Sequence, residues 1–134
     1  MPSTLLNAPA QILIGDPSAP IVTTNATVTE AARFSLGTRA AGVVRVRMMA
    51  RDRATQDAKV WEGVVGVRRD LDGSTAGLAA MVVVAVQNTA GASAWVLAGA
   101  ALSTGHLQVT VQGEAGKTID WAGVADIVWL EQVP

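Results

Sequence analysis

The stretch GVVRVRMMAR, residues 42–51, carries the signal on which the fold depends. Val44, Val46, Met48 and Ala50 fall at one parity, while Arg45, Arg47 and Arg51 fall at the other. Successive side chains of a strand point to opposite faces, so a period of two reads as a half-buried β-strand with an arginine-bearing outer side. HLQVTVQG, residues 106–113, repeats the pattern, with Leu107, Val109 and Val111 inward and Gln108, Thr110 and Gln112 outward.

Working outward from these two, KVWEGVVGVRR (59–69), LAAMVVVAVQN (78–88) and SAWVLAGAAL (93–102) are rich in β-branched and aromatic residues and read as further strands. TIDWAGVADIVWLEQV (118–133) reads as one long or bent strand, with Gly123 and Ala125 small enough to permit a bend or bulge. The separators RDRATQD, RDLDGSTAG, NTAGAS and STG are short, polar and glycine-bearing, which favours hairpins and meanders over helical crossovers. Residues 29–36, TEAARFSL, could start a short helix capped by Thr29, but the extended reading is favoured.

The first 25 residues, punctuated by Pro2, Pro9, Pro17 and Pro20, read as an extended N-terminal arm. It would lie along a surface with at most a short strand at residues 11–14, and it could reach a neighbouring subunit. Residues 26–134 then form one domain. About seven to nine strands in about 110 residues with short turns define an all-β protein: an antiparallel β-sandwich, a jelly roll or a small barrel. Sandwich or jelly roll is the expectation taken forward.

Composition bounds the function. The 134 residues suit a single domain, and a chain that is 50% hydrophobic and 16% charged has the makings of a core rather than of disorder. Ten basic against eleven acidic residues leave a net charge of -1, so no summed field holds the chain on nucleic acid or an anionic membrane. The absence of cysteine removes disulfides, thiolate metal ligands and cysteine nucleophiles. No basic and apolar export signal opens the sequence. The longest apolar run, 78–86, is about half of the roughly 20 residues a membrane-spanning helix needs.

Each motif that hints at chemistry has a plainer reading. Gly116-Lys117-Thr118 resembles the end of a phosphate-binding loop, but such a loop needs a glycine where Val111 stands and must lead into a helix. Between two strands, GEAGK reads as a hairpin turn with Gly113 and Gly116 available for positive φ and Lys117 facing solvent. Trp121, just beyond it, should be buried. RRDLDGST (68–75) is similar to the DxDGT loop of haloacid dehalogenase phosphatases, yet two arginines precede it where a buried parallel strand should, so Asp70 and Asp72 read as turn residues. His106 is the single histidine, too few for a zinc site here, and Ser103 belongs to no nucleophile elbow. No catalytic residue, metal site or cofactor is expected.

Two compositional features remain. Arginine is the dominant cation, with Lys59 and Lys117 the two lysines, and guanidinium groups favour fixed pairs with carboxylates, often at interfaces. Arg45, Arg47 and Arg51 are the candidate interface row. Four tryptophans accompany one phenylalanine and no tyrosine; Trp61, Trp95, Trp121 and Trp129 could converge in a core or at an interface, and Trp61 and Trp95 join the arginines as interface candidates.

Three segments together resemble small bacteriophage virion β-proteins: VRVRMMARD, WEGVVGVRRD and AWVLAGAALSTGHLQVTVQGEAGKTIDWAGV, strands that end in charged or glycine turns. The match spans roughly residues 42–133 and contains no catalytic motif. It is similar to capsid decoration or cement proteins and to tail-fibre or tail-tip β-modules, and it implies a structural, non-enzymatic role without assigning residues.

The expectation is therefore a virion protein, assembled in the host cytoplasm, that cements the head by bridging capsid subunits. Its partners would be the major capsid protein and copies of itself, with no nucleic acid and no membrane. The alternative is a tail module recognising a host glycan or protein receptor. The chain reads as a complete small protein beginning with its own methionine, outside a long fibrous context, and that favours the head role.

Overall fold

Residues 42–51 lie within β5 (Ala40–Asp52), and the parity read from the sequence is the observed one: Val44, Val46, Met48 and Ala50 are buried while Arg45, Arg47 and Arg51 are exposed. The computed structural model describes residues 4–6, 10–16, 18–35, 40–70, 75–77, 81–102 and 106–132. The remaining strands are β1 (Thr4–Leu6), β2 (Ala10–Ile14), β3 (Ile21–Thr23), β4 (Val28–Ser35), β6 (Ala58–Arg69), β7 (Thr75–Gly77), β8 (Val82–Asn88), β9 (Val96–Leu102), β10 (His106–Gln112) and β11 (Ile119–Gln132). One 3₁₀ turn, Ala90–Ala92, precedes β9.

The strands form two antiparallel sheets, an all-β sandwich. In the larger sheet β5 is central, with β11 on one side and β6 on the other. β7 and β8 follow one another along the far edge of β6. The smaller sheet has the order β4-β10-β9. Residues 29–35 belong to the extended β4 and not to a helix, as favoured. Ala31 and Phe34 could have served a helix as well, but pairing with β10 satisfies the β4 backbone.

The N-terminal segment is where the structure departs most from the sequence reading. The short strand expected at residues 11–14 is there as β2, but two further strands flank it and all three join the large sheet instead of forming an arm along a surface. β3, β2 and β1 lie end to end along β11, opposite residues 119–121, 123–127 and 130–132. They amount to one edge strand broken into pieces. Between β2 and β3 the chain turns at Gly15, with φ at 65°, and Asp16 accepts hydrogen bonds from the Ser18 N–H (2.8 Å) and hydroxyl (2.7 Å).

A second departure concerns GEAGK. β10 and β11 belong to different sheets, so residues 113–118 form a corner between the layers and not a hairpin. Only Gly116 has positive φ, at 77°; Gly113 is buried instead, pressed on Thr23 and Ile119. Lys117 is half-buried rather than solvent-facing, donating to the Gly91 carbonyl at 2.9 Å and pairing with Glu114 at 3.0 Å. RDRATQD does form the expected hairpin between β5 and β6. Buried Asp52 organises it by accepting from Ala54 N–H at 2.7 Å and Thr55 N–H at 3.2 Å. The expected turns at 71–74 and 103–105, with Asp72 and Ser103, lie outside the described residues.

β11 pairs with β5 from Ile119 to Glu131 without a register shift, so Gly123 makes no bulge there. Its hydrogen matters for another reason. A Cβ at Gly123 would collide with the Arg47 carbonyl oxygen and lie 3.0 Å from Met48 Cα, so the two backbones approach more closely than a side chain allows.

The core lies between the sheets. Val44, Val46, Met48, Trp61, Val65, Val67, Trp121 and Ile127 from the large sheet face Phe34, Leu97, Leu107, Val109 and Val111 from the small one. Trp61 and Trp121 stack, and Trp95 tilts against Trp121 at 6.3 Å and 55°. Trp129 stands apart from this trio, half-buried beside a recess of about 180 Å³ lined by Phe34, Leu107 and Ile127.

Candidate interaction surface

The outer face of the large sheet follows from register. Residues of odd number on β5 point away from the core, and pairing sets them in rows across the sheet. Two central rows carry the charge: Gln11, Asp126, Arg45, Val64 and Val82 in one, Leu13, Val124, Arg47, Glu62 and Val84 in the other. On one side they are flanked by Val128, Val43 and Gly66, on the other by Ala122, Met49 and Val60.

The charges in the central rows are matched within the chain. Arg45 pairs diagonally with Glu62 on β6, and Arg47 pairs diagonally with Asp126 on β11 at 3.3 Å. Asp126 also accepts from Gln11 Nε2 at 2.9 Å, which ties the N-terminal strand to the face. At the margin, Arg53 grips both oxygens of Asp120 through Nε and Nη2 at 2.8–3.1 Å. Such exposed pairs contribute up to about 1 kcal/mol each to stability, so their main effect is to balance the charges of the two central rows.

What the face then offers is apolar. Leu13 is 66% exposed, Met49 55%, Val82 66% and Val84 57%, with Val22, Val43, Val64 and Leu130 also exposed. Soluble monomers seldom display so many large apolar side chains on one sheet face, and such a surface marks a site of association. Near Arg51 the face dips into a depression of about 240 Å³ lined by Pro20, Met49, Asp120 and Ala122.

Of the residues expected at an interface, the structure brings Arg45, Arg47 and Arg51 to this face. Trp61 and Trp95 are corrected: they are 3% and 1% exposed, packed with Trp121 between the sheets, and present no ring to a partner. The alternation around Trp61 in β6 placed it with Gly63 and Val65 on the inner side, a signal the sequence contained. Sequence reasoning missed the apolar members of the face. Met49 and Val43 lie at the parity of the arginines, and Leu13 lies in the segment read as an arm.

The two lysines do different work. Lys59 is buried, and its Nζ donates to the carbonyls of Ser93 (3.1 Å) and Trp95 (2.9 Å), fastening the 3₁₀ turn to β6. Burial pushes its ammonium pKa below the usual lysine value. On the small sheet, Arg33 and Gln108 hydrogen-bond the Glu30 carboxylate and hold its pKa down at about 2. Among the described residues no group of three His, Asp or Glu is placed to hold a metal ion. His106 opens β10, as expected.

The fold and this face define an all-β sandwich with one sheet surface that is largely apolar and whose central charges are paired. No protein-family model matches the chain, and no curated protein matches it. Among solved structures it is similar to the tailspike protein of Acinetobacter baumannii phage AM24, with a TM-score of 0.43 and 8% identity over 95% of this chain. The chain spans about a quarter of that protein's length, 26%. The likeness is one of coarse β-architecture.

Proposed function

We propose that this chain is a non-enzymatic structural protein of a bacteriophage virion, one that decorates the head and stabilises the shell by lying across neighbouring capsid subunits. The observation that carries the reading is the outer face of the large sheet: exposed Leu13, Val43, Met49, Val64 and Val82 around arginine-carboxylate pairs that are already closed. A protein that cements a lattice needs a broad, shallow contact repeated many times. Each contact can be weak, because multivalent repetition over a shell multiplies the effect.

A largely apolar face with its central charges paired suits an apolar protein surface such as that of a major capsid protein. With its central arginines already paired it offers little hold on the phosphates of a nucleic acid or on anionic lipid, which call for rows of unpaired cations. With Trp61, Trp95 and Trp121 buried, a tryptophan platform for host glycan loses its support.

The test is reconstitution. Particles lacking the chain are incubated with purified wild type or with Met49→Asp, pelleted, and challenged with heat. Saturable binding of wild type that raises the temperature of shell rupture, with at least tenfold weaker binding of Met49→Asp, supports the reading. Binding to tails alone would transfer the chain to the tail-module class, and no binding to either would sink the virion role.

A further inference from the structure

On the outer face of the large sheet and at its margins, Arg45 holds Glu62, Arg47 holds Asp126, Arg53 holds Asp120 and Arg68 holds Asp70. Arg51, exposed on the same face, differs from them. Among the described residues its side chain makes no ion pair and no hydrogen bond. Register nevertheless sets it directly opposite Asp120, the place where a cross-strand ion pair ordinarily forms.

Arg53 has taken that carboxylate. Its N–H donates to the Thr118 carbonyl at 3.0 Å, which draws the start of the β5–β6 hairpin alongside β11. From there Nε and Nη2 engage both Asp120 oxygens at 2.8–3.1 Å, a two-pronged, charge-assisted grip. Two guanidinium groups thus face one carboxylate, and Arg51 is left with uncompensated charge. It lines the depression of about 240 Å³ together with Pro20, Ala122 and Met49, the last of these 55% exposed.

We infer that Arg51 is the polar anchor of the capsid contact: the capsid subunit sets an Asp or Glu side chain on its guanidinium and an apolar side chain beside it in the depression. This rests on the proposed head-decoration role and names the chemistry of the partner surface.

The occupant follows from what burial demands. When an apolar face is covered, a guanidinium without a partner loses its water and gains nothing in exchange, which opposes association. Arg45, Arg47 and Arg53 carry their carboxylates into the contact with them. Arg51 does not, so the surface that covers it must supply the anion. A carboxylate matches the planar fork of guanidinium donors with two parallel bonds, and the apolar wall at Met49 and Pro20 asks for an aliphatic or aromatic neighbour. A nucleic acid would meet the charge of Arg51 but would bring a row of phosphates over Glu62 and Asp126 on the same face, where like charges repel.

The experiment measures binding of purified protein to head particles lacking the chain, at low and high salt. Arg51→Ala should bind roughly tenfold more weakly than wild type and with less sensitivity to salt, and Arg51→Lys should recover part of the loss. The melting temperature of Arg51→Ala should match wild type, since no partner within the chain is lost. Arg53→Ala provides the sharper readout. It frees Asp120 to draw Arg51 across the register, so binding should fall; adding Asp120→Asn to that variant releases Arg51 and should restore it. An Arg51→Ala that binds as tightly as wild type, or a double variant no better than Arg53→Ala alone, overturns the anchor and leaves the head-decoration role standing. A wild type that binds no particle overturns both. Retention of wild type but not of Arg51→Ala on free duplex DNA assigns the cation to phosphate and overturns the carboxylate partner.

Discussion

Trp61 and Trp121 stack with ring centroids 5.4 Å apart and 17° between their planes, although β5 runs between the strands that bear them. Ala50, small and opposite Trp121 in register, leaves the room above β5 for the rings to meet. Trp121 Nε1 donates to buried Thr23 Oγ1 at 2.9 Å, whereas the equally buried Trp95 Nε1 has no hydrogen-bond partner among the described residues. The stack therefore joins the large sheet's centre to its N-terminal edge strand.

That contrast predicts unequal costs for the same substitution. Trp121→Phe should destabilise more than Trp95→Phe by about 1 kcal/mol, the net worth of a hydrogen bond. Thr23→Val, which strands the Trp121 N–H, should cost about 1–3 kcal/mol. Urea unfolding of the three variants measures this. Equal losses for the two tryptophans would refute the role given to Thr23.

Emission from the Trp61–Trp95–Trp121 group, sealed between the sheets, should be blue-shifted and unmoved by host glycans, and a Trp129→Phe background isolates it from the half-buried Trp129. A red-shifted spectrum that responds to sugar would contradict the buried placement.

Two glycines should differ in their tolerance of alanine. At Gly99 the new Cβ would meet the Met81 side chain, whose flexible end can turn aside, so the loss should stay near the low end of the about 1–3 kcal/mol typical of overpacking. At Gly123 the obstacle is the β5 backbone itself, and Gly123→Ala should exceed that range or fail to fold. Thermal denaturation ranks the pair.

Acid should weaken the fold in a defined window. Arg33 and Gln108 hold the Glu30 carboxyl at about 2, against 4.5 for the free group, so the unfolded chain takes up its proton first. Stability from this carboxylate is present in full above 4.5 and disappears as pH falls toward 2. Asp16, through Ser18, and Asp57, through Thr89 and Thr55, are lowered in the same direction. Glu30→Gln should flatten the pH dependence of the urea midpoint in that interval; an unchanged slope would show that the Arg33–Glu30 contact is not held in solution.

Much of this architecture can be read from side-chain parity. Val44, Val46, Met48 and Ala50 against Arg45, Arg47 and Arg51 give β5, and Leu107, Val109 and Val111 give β10, because a strand with one wet face writes its orientation into the sequence. Parity does not say which sheet a strand joins. GEAGK could close a hairpin or turn a corner with the same residues, and the choice is made by packing far away, where Gly113 meets Thr23. The run 78–88 was legible as a strand, but its unbroken valines carry no parity to say which side faces solvent, and Val82, Val84 and Val86 all prove exposed. β2 was legible as the short strand at residues 11–14, whereas β1 and β3, three residues each, are too short to show any period.

The interaction face was half legible for a related reason. Arginines stand out among valines, but exposed Met49 and Val43 look like core residues unless their parity is weighed against that of their neighbours. The same weighing moves Trp61 indoors.

Single arginine truncations should separate folding from assembly. Arg45→Ala and Arg47→Ala remove exposed pairs and should change monomer stability by less than about 1 kcal/mol, while weakening attachment to particles by uncovering Glu62 and Asp126 within the apolar face. Calorimetry and pelleting on the same samples provide both readings.

The central claim is best tested by cryo-electron microscopy of purified virions that contain this chain. Density for it is expected at regular positions on the head, with Met49 and Leu13 pressed against capsid subunits and the small sheet outward. A chain found on the tail, or bound to the head with the outer face of the large sheet turned to solvent, would contradict it.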